Sequence, residues 1–173
     1  MDGTGLMIEA IKLLLFPAMM AFAASSDLLT MTIPNRVALI MVGGFLLLAA
    51  ATGMNAEQFT SHAGAGLVVL VIAFVFFACG WIGGGDAKLA AVTALWLGFD
   101  HLLDYALYGS LFGGALTLVL LQFRAAPLPA MLAGRAWAER LHRSDGGVPY
   151  GIALAAAALV IYPSTPWMQG VAL

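Results

Sequence analysis

Two aspartates interrupt otherwise apolar stretches of the chain. Asp27 follows Ser25-Ser26, and Asp86 closes the run Gly83-Gly84-Gly85 ahead of Ala87-Lys88. Ionisable groups inside a membrane span are costly to keep there and therefore mark function. Two carboxyls brought together across a helix interface cannot both ionise cheaply, so one stays protonated beside a carboxylate. Such a pair can hydrolyse a peptide bond. The ionised member takes a proton from water as it attacks the carbonyl, and the protonated member donates to the developing oxyanion or the leaving amine. The titration then belongs to the pair. Three glycines ahead of Asp86 permit a tight, side-chain-free approach, and a carboxylate at a helix start accepts backbone N–H bonds. Taken singly, Asp86 also reads as a helix cap and Asp27 as a residue at the membrane fringe; their matched positions favour chemistry.

Other chemistries find less support. His62, His101 and His142 are scattered and no Cys/His spacing makes a zinc site, so neither a metal nor a cofactor is expected. The single Cys79 lies in an apolar run, which predicts a buried, inert thiol. Lys88 sits two residues beyond Asp86 and so points to another side of a helix; it is expected as a charged anchor, not a base. Asp100, His101 and Asp104 read as solvated helix-end residues. Seven Lys and Arg against nine Asp and Glu, a net charge of −2, leave no basic surface for a nucleic-acid backbone.

The elements that must position the aspartates follow from composition. The 173 residues are 62% hydrophobic and 9% charged, whereas soluble domains carry about a quarter charged residues. At about 20 residues per crossing, six spans take about 120 of the 173 residues and leave only connectors and one modest loop. This predicts one all-α integral membrane domain over 1–173, with helices near 7–29, 36–54, 63–82, 86–99, 103–123 and 148–162. The fourth is short: fourteen residues cover about 21 Å of a hydrocarbon layer of roughly 30 Å, so it must begin or end below the membrane surface.

Basic residues then set orientation, because short loops rich in them stay in the cytoplasm. Arg36, Lys88, Arg124, Arg135, Arg140 and Arg143 all fall in connectors of one face, while the opposite connectors hold Glu57, His62, Asp100, His101 and Asp104. Lys12 dissents, three residues after Glu9, where a local pair would mask it. Both termini are therefore expected outside, and both aspartates near the cytoplasmic face although 59 positions separate them. The segment 124–147 is the one long polar connector, a basic loop or a short surface helix. Pro34 disfavours helical geometry at Ile33, so the first helix must turn there.

The sequence resembles the type IV prepilin peptidases, and more closely their short Flp/Tad-type members. The likeness is carried by Asp27 with the downstream Ile33-Pro34-Asn35, by GGGDAK at 83–88 fitting the family's GxGDxK, by LAAVTALWLG at 89–98, and by VPYGIALAAAAL at 148–159. It implies a GxGD-type aspartic membrane protease of the bacterial inner membrane, with Asp27 and Asp86 catalytic. Gly83, Gly85, Lys88, Pro34 and Asn35 would be the supporting motif. The implied substrate is a prepilin-like precursor, cut at the cytoplasmic membrane face just ahead of its hydrophobic helix, and the implied surroundings are the lipid bilayer. Two departures stand out. LLTMT follows Asp27 where many relatives carry basic residues, and the longer members' cytoplasmic domain with paired CxxC motifs, a zinc or methyltransferase-type module, is not expected here. A proton-relaying carrier would need its aspartates reachable from both sides in turn, against the one-sided charge map. A non-catalytic subunit of a secretion machine would leave the GxGD motif unexplained.

Overall fold

The computed structural model describes residues 3–169. Seven α-helices follow one another: α1 (Gly3–Thr30), α2 (Asn35–Ala51), α3 (Ala56–Ala78), α4 (Gly84–Leu97), α5 (Leu102–Ala125), α6 (Ala136–His142) and α7 (Tyr150–Ile161). Single 3-10 turns lie at Phe99–His101, Ala130–Leu132 and Tyr162–Ser164. No strand occurs among the described residues. The segments Gly5–Thr30, Ala56–Ala78 and Phe99–Ala125 are each long and apolar enough to cross a membrane, and Asn35–Ala51 and Tyr150–Ser164 are shorter apolar helices. Leu14, Leu39, Leu47, Phe74, Leu103 and Val119 are exposed, a surface that fits lipid and not water. These helices fit a multi-pass membrane protein.

α4 is the centre of the bundle. It packs against α3, α2, α7 and α5, and Ala87, Leu89, Ala91, Val92, Thr93, Ala94, Trp96 and Leu97 are buried around its whole circumference. A helix apolar on every side belongs inside other helices. α3 lies closest to it: a Cβ on Gly66 would stand 3.0 Å from Leu95 Cβ, the close approach that small residues allow between membrane helices. α1 packs on α7 and α2, and α5 on α7.

Several sequence expectations move. α3 opens at Ala56, not near 63, because Asn55 and Gln58 cap each other reciprocally: Gln58 N donates to Asn55 Oδ1 at 2.8 Å and Asn55 N to Gln58 Oε1 at 3.3 Å. His62 therefore lies within a helix, 7% exposed, and not in a connector. α3 ends at Ala78 instead of 82, with Gly80 at φ +74 beyond it. Cys79, expected to be buried, is exposed, since the last turns of α3 turn Phe74, Val75, Phe76 and Phe77 outward. α1 stops at Thr30, less than one turn after Asp27: Met31 takes φ +56 and Ser26 Oγ donates to Thr32 O at 2.8 Å. The short surface helix in the polar connector is α6.

The chain order of α1 to α5 and α7 alternates their directions, so the bundle has two ends. One end gathers Trp96, Trp167, Tyr162, Phe16, Phe45 and His62. Phe16 stacks on Tyr162 at 4.2 Å and Trp96 lies 5.4 Å from Trp167. Trp96 Nε1 donates to Met41 O at 3.0 Å, Trp167 Nε1 to Trp96 O at 2.7 Å, and Tyr162 Oη to Lys12 O at 2.7 Å. Lys12 is paired with Glu9 at 3.3 Å, the local pair the spacing predicts. The other end carries Arg36, Lys88 and Arg124. There Arg124 fastens the polar connector, donating to Leu141 O at 2.8 Å and to Gly147 O at 2.7 Å.

Candidate active site

Three chain segments meet at this second end: the close of α1 with the Ile33-Pro34-Asn35 turn, the glycine run that opens α4, and the first turn of α7. α4 begins at Gly84, so Asp86 sits in its first helical turn instead of opening it. Each glycine before it faces the protein's own chain. A Cβ on Gly83 would stand 3.0 Å from Asp86 Oδ2, one on Gly84 3.3 Å from Phe77 Cε2, and one on Gly85 3.1 Å from Ile33 Cβ. The side-chain-free approach expected here thus serves the packing of α4 against Ile33 and Phe77. Pro34 is the N-cap of α2, extended at φ −63 and ψ 141. Asn35 accepts a hydrogen bond from Lys88 Nζ at 2.7 Å. That bond ties α4 to the turn, while Asp86, two residues earlier, faces the interior groove described below.

Asp27 is 5% exposed. Its Oδ2 accepts the backbone N–H of Gly151 at 2.8 Å. Gly151 is the second residue of α7, so the carboxylate satisfies one of the donors a helix start leaves open and lies at the positive end of its dipole. Asp86 lies within electrostatic reach of Asp27 and near Gly151, with its Oδ2 against Gly83. The two aspartates thus lie near each other at the start of α7, where Asp27 accepts the Gly151 N–H. Asp86 Oδ1 is buried without a hydrogen-bond partner among the described residues.

Gly151 is the site residue that sequence reasoning missed. A Cβ there would stand 2.8 Å from Asp27 Oδ2 and 2.7 Å from Ile33 Cδ1, so only glycine admits the carboxylate and the turn together. The Pro149-Tyr150-Gly151 triplet at the head of an alanine-rich helix was the available signal.

A groove of about 710 Å³ opens beside Asp86. Val69, Ile72 and Phe76 of α3 form one wall, Leu102, Tyr105 and Ala106 of α5 the other, and Ala90 of α4 and Leu154 of α7 its floor. Asp86 is the one carboxylate in this lining. At the opposite end a polar recess of about 410 Å³ is lined by Lys12, Glu57, His62, Asp100 and Trp167; the structure keeps these groups apart from the aspartates. His101 lies in the 3-10 turn beside Asp100, Asp104 is exposed in the first turn of α5, and His142 closes α6 with its ring 5.2 Å from Phe123. No group of three or more His, Cys, Asp or Glu side chains converges among the described residues.

Two neighbouring carboxyls, one held by the Gly151 N–H and the other in the lining of an apolar groove, suit the hydrolysis of a bond in an apolar chain. Comparison with known families gives one match: the model of the type IV leader peptidase family covers residues 14–118, which include both aspartates. No match was found among curated proteins or among solved structures.

Proposed function

The chain belongs to the type IV leader peptidase family, and from that premise we propose that it is an aspartic endopeptidase that removes the leader of type IV or Flp-like prepilins. The observation that carries the aspartic reading is the proximity of Asp86 to Asp27, whose Oδ2 accepts the Gly151 N–H. One carboxylate takes a proton from water as the water attacks the scissile carbonyl. The other, protonated, donates to the developing oxyanion and then to the leaving amine. The Gly151 N–H holds Asp27 in place, and the start of α7 favours negative charge on the pair.

The groove supports the substrate class. A prepilin presents its leader junction just ahead of an apolar helix, and a groove walled by Val69, Ile72, Phe76 and Leu102 would bury that helix with the junction against Asp86. Six of the seven basic residues lie toward the aspartate end, Lys12 being the exception. By the tendency of Lys and Arg to stay inside, that end faces the cytoplasm, both termini lie outside, and cleavage occurs at the cytoplasmic face of the bacterial inner membrane. The polar connector on this side, which α6 and Arg124 fold against the bundle, belongs to the same single domain.

The test is incubation of detergent-purified protein with candidate precursors, scored by the mass of the released leader. Wild type should cleave without other components. Asp27→Asn and Asp86→Asn should each insert normally and release no leader; cleavage by either variant at near the wild-type rate would remove the dyad from the mechanism.

A further inference from the structure

The half-buried side chain of Ile33 lies between the segment that carries Asp86 and the segment that holds Asp27. Its root rests on α4: a Cβ on Gly85, the residue before Asp86, would stand 3.1 Å from Ile33 Cβ and 3.3 Å from Ile33 N. Its tip rests on α7: a Cβ on Gly151, whose N–H donates to Asp27 Oδ2 at 2.8 Å, would stand 2.7 Å from Ile33 Cδ1. Both glycines leave room for the same isoleucine. The turn that carries Ile33 is fastened in its own right to the last turns of α1, where Asp27 stands. Met31 N donates to Asp27 O at 2.8 Å, Ser26 Oγ to Thr32 O at 2.8 Å and Thr30 Oγ1 to Ser26 O at 2.7 Å. On the other side Pro34 restricts the backbone of Ile33, and a β-branched side chain is stiff at χ1.

A side chain that only filled space would need neither a fastened turn beneath it nor a glycine at each end. Two carboxyls share a proton over a narrow range of separations: their coupling fades as they part, and repulsion grows as they close. Displacements of about 1 Å in a catalytic group cost up to about a hundredfold in rate. We propose that Ile33 is a positioning residue, a rigid spacer set between Gly85 and Gly151 that fixes the separation of the Asp27 and Asp86 carboxyls. This rests on the proteolytic reading above. It also gives one cause for two glycines 66 positions apart, each bare where the spacer bears on it.

The test measures kcat, KM, the pH–rate profile and thermal unfolding on one cleavable prepilin-type precursor. The purified proteins are wild type, Ile33→Ala, Ile33→Val, Gly151→Ala, the double variant Ile33→Val with Gly151→Ala, and Asp27→Asn. Ile33→Ala should lower kcat about tenfold with KM changed less than about threefold. The acid and alkaline limbs of its profile should draw together by about half a pH unit, because slack in the spacer weakens the coupling that splits the pair's two titrations. Ile33→Val keeps the branch against Gly85 and loses only the Cδ1 methyl, so it should lose about threefold in kcat. The double variant decides even if Ile33→Ala does not fold. A methyl on Gly151 meets Ile33 Cδ1, so deleting that atom should make the double variant about threefold faster than Gly151→Ala alone, whereas independent sites would make it slower. A double variant no faster than Gly151→Ala overturns the proposal, as does an Ile33→Ala that melts lower yet keeps the wild-type kcat and pH profile. Cleavage by Asp27→Asn, or none by wild type, would sink the proteolytic reading and this one with it.

Discussion

The two ends of the bundle are built on opposite principles although α4 runs through both. At the aromatic end large side chains interlock and their polar atoms are engaged: both indole N–H groups and the Tyr162 hydroxyl donate to backbone carbonyls, and His62 Nδ1 lies 2.9 Å from Leu95 O. At the aspartate end glycines replace bulk and two carboxyls share a neighbourhood; buried polar atoms without a partner occur toward both ends, Asp86 Oδ1 at this one and Glu9 Oε2 at the other. The difference separates two jobs. The first end holds the helices in place by burial and satisfied hydrogen bonds. The second gives up bulk for glycines and brings two carboxyls together, which suits the proposed reaction.

Substitutions that affect one end and spare the other test this division. The largest effect should come from Asp86→Asn or Asp27→Asn, with leader cleavage falling by about a thousandfold or more and thermal unfolding nearly unchanged; mass spectrometry of the leader and a melt in detergent read the two. The wild-type rate should fall on both sides of a pH optimum. Acid protonates the carboxylate that must accept the water's proton, and base strips the proton its partner must donate, so a profile flat across both limbs would contradict the shared-proton mechanism. Gly151→Ala comes next: the added methyl meets Asp27 and Ile33, and kcat should drop about ten- to a hundredfold through misplacement of the carboxylate while the protein still inserts.

Trp96→Ala should reverse the pattern. Emptying a fully buried tryptophan site destabilises by about 3–5 kcal/mol, yet the folded fraction should cut precursor within a few-fold of wild type. A loss of kcat as severe as that of Gly151→Ala would mean the ends are coupled, and the comparison would fail. The smallest effect belongs to the exposed pair of Arg143 and Asp145 at 2.8 Å, with both side chains 68% exposed. The guanidinium holds the Asp145 carboxyl below the usual range. Whatever stability this adds is present at neutral pH and is lost on acidification as that carboxyl protonates. Screening by water leaves little to measure, so Asp145→Asn should shift neither melting nor cleavage.

The aspartates were legible in the sequence because a charge in an apolar stretch is conspicuous whatever surrounds it. Both, together with Lys88 and Asn35, lie where linear reasoning set them, at one end of alternating helices. Gly151 was not legible: a glycine near the start of an alanine-rich helix gains meaning only when Asp27, 124 positions earlier, is seen against it. His62 was misassigned to a connector because hydropathy falls off before a helix does, and the capping pair Asn55 and Gln58 was the better boundary marker. Cys79 misled for a related reason. In a soluble protein an apolar run predicts burial, but in a bilayer the apolar face is the outside.

The brevity of α4 has a consequence for how a hydrolase obtains its second reactant. Its fourteen residues leave it roughly 9 Å shorter than the hydrocarbon slab. The Phe99–His101 turn carries the chain on from its far end, whereas Asp86 lies in its first turn. A late start of this kind would set the proposed site below the membrane surface yet a short way from the aqueous phase. Hydrolysis inside a membrane then requires no conduit across it, only a helix that starts late.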